Sequence, residues 1–107
     1  MELKDNCKIL LERSTQKVKC FKFQNSEIER ELALHEDTED RNKSAISDVN
    51  TGFRLITISK KVKDIKEADI TDQLQRFINH YTKEAVCNKL NEMDKTPMED
   101  KFKKVKK

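Results

Sequence analysis

Apolar side chains recur along this chain in steps of three and four, the spacing of a helix that buries one stripe. Leu3, Cys7, Leu10, Ser14, Phe21, Ile28 and His35 follow that rhythm, with Lys17, Gln24 and Glu31 filling the steps between. A second seam runs through Leu11, Val18, Phe21, Ile28 and Leu32. The pattern predicts one long helix, or two joined helices, over residues 2–36. A stripe that shifts face in this way suits a helix packed against two neighbours. Ser26 with Glu29 has capping-box spacing and offers a restart after Gln24-Asn25. Phe21-Lys22-Phe23 sets two aromatics on different helical faces, or on one face of a strand.

Residues 37–44 carry no apolar side chain and form either a solvated continuation of the helix or, as the lapse of the stripe favours, the loop of a helical hairpin. From Ala45 the spacing resumes through Ile46, Val49, Phe53 and Ile56, and Leu55, Ile58, Val62 and Ile65 carry it on. Within this segment Phe53-Arg54-Leu55-Ile56-Thr57-Ile58 is rich in β-branched and aromatic residues and would also pass as a short strand. The lead-in spacing favours helix, as do the i,i+4 pairs Lys60/Asp64 and Lys63/Glu67, each worth about 0.2–0.5 kcal/mol on a helix surface. Gly52 inside that helix would cost about 1 kcal/mol against alanine, so it reads as a bend or a point of close contact. A third helix over 71–94 follows, with Asp69 or Thr71 as N-cap. Its face is Ile70, Leu74, Phe77, Ile78, Tyr81, Ala85 and Leu90, and it stops before Thr96-Pro97.

The expected fold is therefore all-α, with long amphipathic helices in a helical hairpin, three-helix bundle or coiled coil. Residues 1–94 form the helical domain and 95–107 a flexible basic tail. Composition points the same way. Apolar residues make up 35% and charged residues 40%, against about 45–50% and 25% in ordinary globular domains. One glycine and one proline argue against a β-sandwich, which needs a turn about every 8–12 residues. A core this thin is marginal alone at about this length. The stripes thus read as an interface with identical or different chains, carried by Ile46, Val49, Phe53, Ile56, Leu74, Phe77, Ile78 and Tyr81.

Charge adds a second feature. Residues 1–50 hold 9 Lys+Arg against 11 Asp+Glu, and residues 51–107 hold 14 against 9. Glu27–Asp40 carries seven carboxylates opposed only by Arg30, while Arg54–Lys66 carries five cations opposed only by Asp64. These two segments match if the chain folds back between them. The last residues bring Lys101, Lys103, Lys104, Lys106 and Lys107 together as a candidate anion-binding tail.

Candidate chemistry is sparse. Glu31/His35 and His80/Glu84 each sit at i,i+4, a spacing at which an antiparallel helix pair could offer zinc ligands, but such pairs are common by chance in so charged a chain, and two exposed imidazoles are the better reading. His80 and Cys87 lie two turns apart, about 10 Å, too far for a nucleophile and its base. Cys7, Cys20 and Cys87 read as small apolar fillers in a reducing compartment. No glycine-rich phosphate loop, transmembrane run or signal-peptide core is present. The expectation is a non-enzymatic assembly subunit with no cofactor or metal, cytoplasmic or nuclear, partnered by protein. The alternative is a nucleic-acid or anionic-surface accessory protein acting through the tail.

Overall fold

In the stretch Lys17-Val18-Lys19-Cys20 charged and apolar residues alternate one for one, and at Phe21-Lys22-Phe23 the phase of that alternation reverses. Successive side chains of a strand point to opposite faces, so Val18 and Cys20 face one way and Phe21 and Phe23 the other. In the computed structural model, which describes residues 2–12 and 14–95, this reversal is where one strand passes between two layers. Strand β2 (Thr15–Asn25) pairs through Thr15–Cys20 with β1 (Asp5–Leu10) and through Phe21–Asn25 with β3 (Arg30–Glu36). Strands β4 (Ser44–Asp48) and β5 (Arg54–Ile58) complete an antiparallel meander in the order β1-β2-β3-β4-β5. A short 3₁₀ turn (Val62–Asp64) leads into helices α1 (Glu67–Tyr81) and α2 (Lys83–Asp94).

This overturns the all-α expectation. The chain is mainly β-sheet with two short helices, and neither a coiled coil nor a helical bundle is formed among the described residues. The seam over 2–36 is three strands, and the helix expected over 45–67 is β4, β5 and the 3₁₀ turn. The strand alternative at Phe53–Ile58 is the one adopted. The helix expected over 71–94 begins earlier, at Glu67, and is cut in two at Thr82.

Scarcity of glycine and proline did not prevent sheet formation, because other residues make the turns. In the β2–β3 turn Asn25 Oδ1 accepts from Ile28 N at 3.0 Å, and Glu29 takes the left-handed conformation at φ 54°. Of the all-polar segment 37–44, Ser44 already belongs to β4; the rest does connect two elements, but they are strands, and there Asp40 Oδ1 accepts from Asn42 N at 2.9 Å. The single glycine is used where it is needed. Gly52 sits at φ 72° in the β4–β5 connection, a region a Cβ would disfavour.

Two cores lie on opposite faces of β3. Leu32 and Leu34 point towards the helices and pack with Ile46, Ile58, Ile70, Leu74, Ile78, Val86 and Leu90. Ala33, on the reverse face, packs with Cys7, Ile9 and Cys20, joined by half-buried Leu11, Val18 and Val49. The first hairpin is therefore laid against the back of the sheet. Leu10 N donates to Gly52 O at 2.8 Å and ties β1 to the β4–β5 connection. Each fully buried Leu or Ile contributes about 1.5–3 kcal/mol, so a chain poor in apolar residues gains by using both faces of one strand.

Helix α2 is held to the sheet by a charged clamp. Arg30, at the start of β3, donates through Nε and Nη2 to both oxygens of Asp48, at 2.7 and 2.9 Å. Its Nη1 and Nη2 also donate to both oxygens of Asp94, at 2.9 Å each. Asp48 Oδ2 further accepts from the backbone N and the hydroxyl of Thr51, at 2.9 and 2.7 Å, which shapes the connection to β5. The expected match of acidic and basic segments is realised at one contact, Arg54 Nη1 to Asp37 Oδ1 at 3.1 Å.

The Asp48 side chain is only 1% exposed, so Arg30→Ala leaves a buried carboxylate without its cation. That variant should lose about 3–5 kcal/mol in urea unfolding. Lys95→Ala, which removes an exposed pair with Glu92, should change stability by less than about 1 kcal/mol. Equal losses from the two would contradict the clamp.

Candidate functional site

The break at Thr82 creates the most distinctive surface of the molecule. Thr82 lies at φ 70° and ψ 148°, outside the helical region, and its hydroxyl accepts from Ala85 N at 3.2 Å to start α2. A non-glycine residue held there costs on the order of 1–3 kcal/mol, and the turn places Tyr81 beside Ala85. On the sheet side the pairing of β4 with β5 slips by one residue between Ile46 and Ser47. Leu55 is the extra residue of that bulge, and a bulge re-aims side chains at a sheet edge. Phe53 follows the left-handed Gly52 directly.

These features enclose a groove of about 290 Å³ between β5, α1 and α2. Its apolar lining includes Phe53, Leu55, Phe77, Tyr81, Val86 and Leu90, with Arg54 and Lys89 as the charged residues. The rings of Phe77 and Tyr81 lie 5.0 Å apart, and the Lys89 ammonium stands 6.0 Å from the centre of the Phe53 ring. Tyr81 is 54% exposed, the one large apolar side chain so exposed among the described residues.

Of the residues expected to form an interface, Phe53, Phe77 and Tyr81 meet in this groove. Ile46, Leu74 and Ile78 do not reach the surface and belong to the helix-side core. Ile56 is partly buried against the same core, and Val49 packs against the reverse-face cluster. The sequence reading missed Leu55, Val86 and Lys89 as groove residues. Tyr81, Ala85 and Lys89 do stand four apart, but the turn at Thr82 carries no glycine or proline to announce it. Lys101, Lys103, Lys104, Lys106 and Lys107 lie outside the described residues.

His35 has a different setting from the one its spacing suggested. In β3 it stands about 13 Å along the strand from Glu31, and His80 and Glu84 belong to separate helices. His35 is 1% exposed. Its Nδ1 lies 2.7 Å from Glu36 O and its Nε2 lies 2.8 Å from Ser47 Oγ. A carbonyl can only accept, so Nδ1 carries the proton and Nε2 accepts from the Ser47 hydroxyl. A hydroxyl donating to an imidazole is the arrangement of a nucleophile and its base. Here the group behind the imidazole is a neutral carbonyl, and burial disfavours the imidazolium that base catalysis would form. The pair instead cross-links β3 to β4, and a one-residue slip of register would break it. Both residues lie at the floor of a cavity of about 740 Å³ whose walls include Ile9, Glu12, Asp37 and Arg54.

The cysteines are also packing groups. Cys7 and Cys20 are buried as free thiols, and burial together with the neighbouring Cys20 pushes Cys7 up to about 12. Cys87 Sγ lies 3.9 Å from Ile28 O. Among the described residues no helix is long and apolar enough to cross a membrane, and no group of three or more His, Cys, Asp or Glu is placed to hold a metal ion.

No protein-family model, curated protein or solved structure matches this chain.

Burial lowers the pKa of His35 from its ordinary 6.5, outweighing the opposing effects of the Glu36 carbonyl and the Asp37 charge. The unfolded chain takes up a proton at His35 as pH falls through about 6.5, whereas the folded chain resists until lower pH. The stability His35 contributes is thus complete above about 6.5 and is lost as pH falls towards the folded value. Urea midpoints measured between about pH 7.5 and 5.5 should fall for the natural chain and stay flatter for His35→Gln. A steeper fall in the variant would contradict the assignment.

Proposed function

We propose that this protein is a non-enzymatic binding module that docks a partner protein in the groove between β5, α1 and α2. The observation that carries this reading is the position of Tyr81. Isolated exposed apolar residues need no explanation, but this one rims an aromatic groove whose floor the fold leaves uncovered. Clustered aromatics with an adjacent cation are the composition of interface hot spots. Of the two stripes first expected to make the contact, the one over 46–56 is strand and connection, and the one on α1 has Leu74 and Ile78 in the core, so the docking surface is one groove, not an extended seam.

A photo-crosslinking residue at position 81 should capture a discrete partner in the native cell. The same residue at Arg76, exposed on α1 and paired with Asp72, should capture none. No adduct at 81, or the same adducts at both positions, would contradict the reading.

A second reading is favoured by the first hairpin. Lys8 stands directly opposite Lys17, with Lys19 two residues along the same face opposite Asn6. Three lysines on one face of the hairpin give a polyanion a cationic surface to meet. This surface would act with the lysine-rich tail on a polyanion. Binding of the full chain to a labelled DNA duplex should weaken steeply with salt, and Lys17→Glu with Lys19→Glu should abolish it. Unchanged binding in the double variant would exclude the hairpin.

A further inference from the structure

We infer that the groove takes a partner segment in which a large apolar side chain stands beside a carboxylate. This rests on the docking reading above and gives the occupant its chemistry. The chain carries 20 acidic residues, and four other cavities each have at least two carboxylates in their walls, among them Glu27 with Glu67, Glu12 with Asp37, Glu29 with Glu31, and Glu36 with Asp37. The groove has none, and its two charges, Arg54 and Lys89, are both positive.

Lys89 has capacity to spare. Among the described residues Lys89 meets no carboxylate, and Glu92, the acid three residues along α2, is engaged by Lys95 at 3.1 Å. The Lys89 ammonium rests instead near the Phe53 ring, an exposed contact worth only about 0.5–1 kcal/mol. Arg54 holds Asp37 through Nη1 alone, and its side chain is 49% exposed. Asp37 stands outside the groove, in the cavity beside His35, so the Lys89 ammonium is the charge left to meet an occupant. Between the two cations the lining is aromatic and aliphatic. The groove holds about 290 Å³, against the roughly 150 Å³ of an engineered cavity that binds benzene. One or two large apolar side chains fit.

The charge pattern also selects among occupants. The lysine-rich end of this chain would set cation against cation. An apolar anchor with neighbouring Asp or Glu satisfies the floor and the rim together, and the rim charge then supplies specificity and salt-dependent association.

The test uses a phage-displayed library of random twelve-residue peptides panned against the full chain at low salt. Enriched peptides should carry a large apolar residue with Asp or Glu within three positions. Synthetic versions should bind Lys89→Glu at least tenfold more weakly than the natural chain, and replacing their acids with lysine should restore binding to Lys89→Glu. Tyr81→Asp should abolish binding. Peptides lost on Tyr81→Asp but indifferent to Lys89→Glu would overturn the charge assignment and leave the groove standing. If no enriched peptide is lost on Tyr81→Asp, the docking reading itself fails. Binding that appears only when residues 96–107 are deleted would assign the groove to the chain's own terminus and would also overturn the inference.

Discussion

Burial of both faces of β3 is the constraint on which the rest of this structure depends. A chain with this much charge cannot fill two separate sheets. It can sandwich one strand, with Leu32 and Leu34 under the helices and Ala33 and His35 under the first hairpin. The small side chain at Ala33 follows from that arrangement, since a β-hairpin must approach its face closely. So does the neutral His35, whose two ring nitrogens are satisfied within the fold. The change of partner along β2 follows as well, since its first half sends Val18 and Cys20 to one core and its second half sends Phe21 and Phe23 to the other.

The same arrangement explains why the sequence misled. Val18 and Phe21 are three residues apart, which reads as one turn of a helix, yet they belong to opposite faces of a strand. Residues 32–35 form an unbroken buried run, so the period-two signal vanishes where the sheet is most central. In β4, Ser44, Ser47 and Asp48 are buried polar residues whose partners lie elsewhere in the chain, and no local pattern marks them as core. What was legible was local. The amphipathic face of Ile70, Leu74 and Ile78 was visible in the sequence, as was a polar connection, drawn at 37–44 one residue into β4; the strand character of Phe53–Ile58 was visible too, but the spacing outweighed it and favoured helix. The long-range facts were not, above all Arg30 reaching Asp48 and Asp94.

The candidate groove has the same mixed legibility. Phe77 and Tyr81 stand on a helical stripe as expected, whereas Phe53 precedes a strand and not a helix turn. They meet because Gly52 turns the chain into β5, Leu55 is displaced by a bulge and Thr82 breaks the helix. Arg30 adds to this by fixing the far end of α2, which keeps the wall formed by Val86 and Leu90 in place. Function in this reading is a by-product of how a thin core was closed: the helices cover the sheet as far as the apolar supply allows, and the uncovered remainder is the groove.

The most direct measurement is residue-resolved amide hydrogen exchange on the full chain, with cross-strand proton contacts assigned in the same spectra. The account predicts the slowest exchange at Leu32–His35, at rates set by global unfolding, and contacts linking Ala33 both to Ser47 and to the Cys7–Cys20 cluster. Rapid exchange at those amides, or helical i,i+3 contacts through residues 15–36, would contradict it.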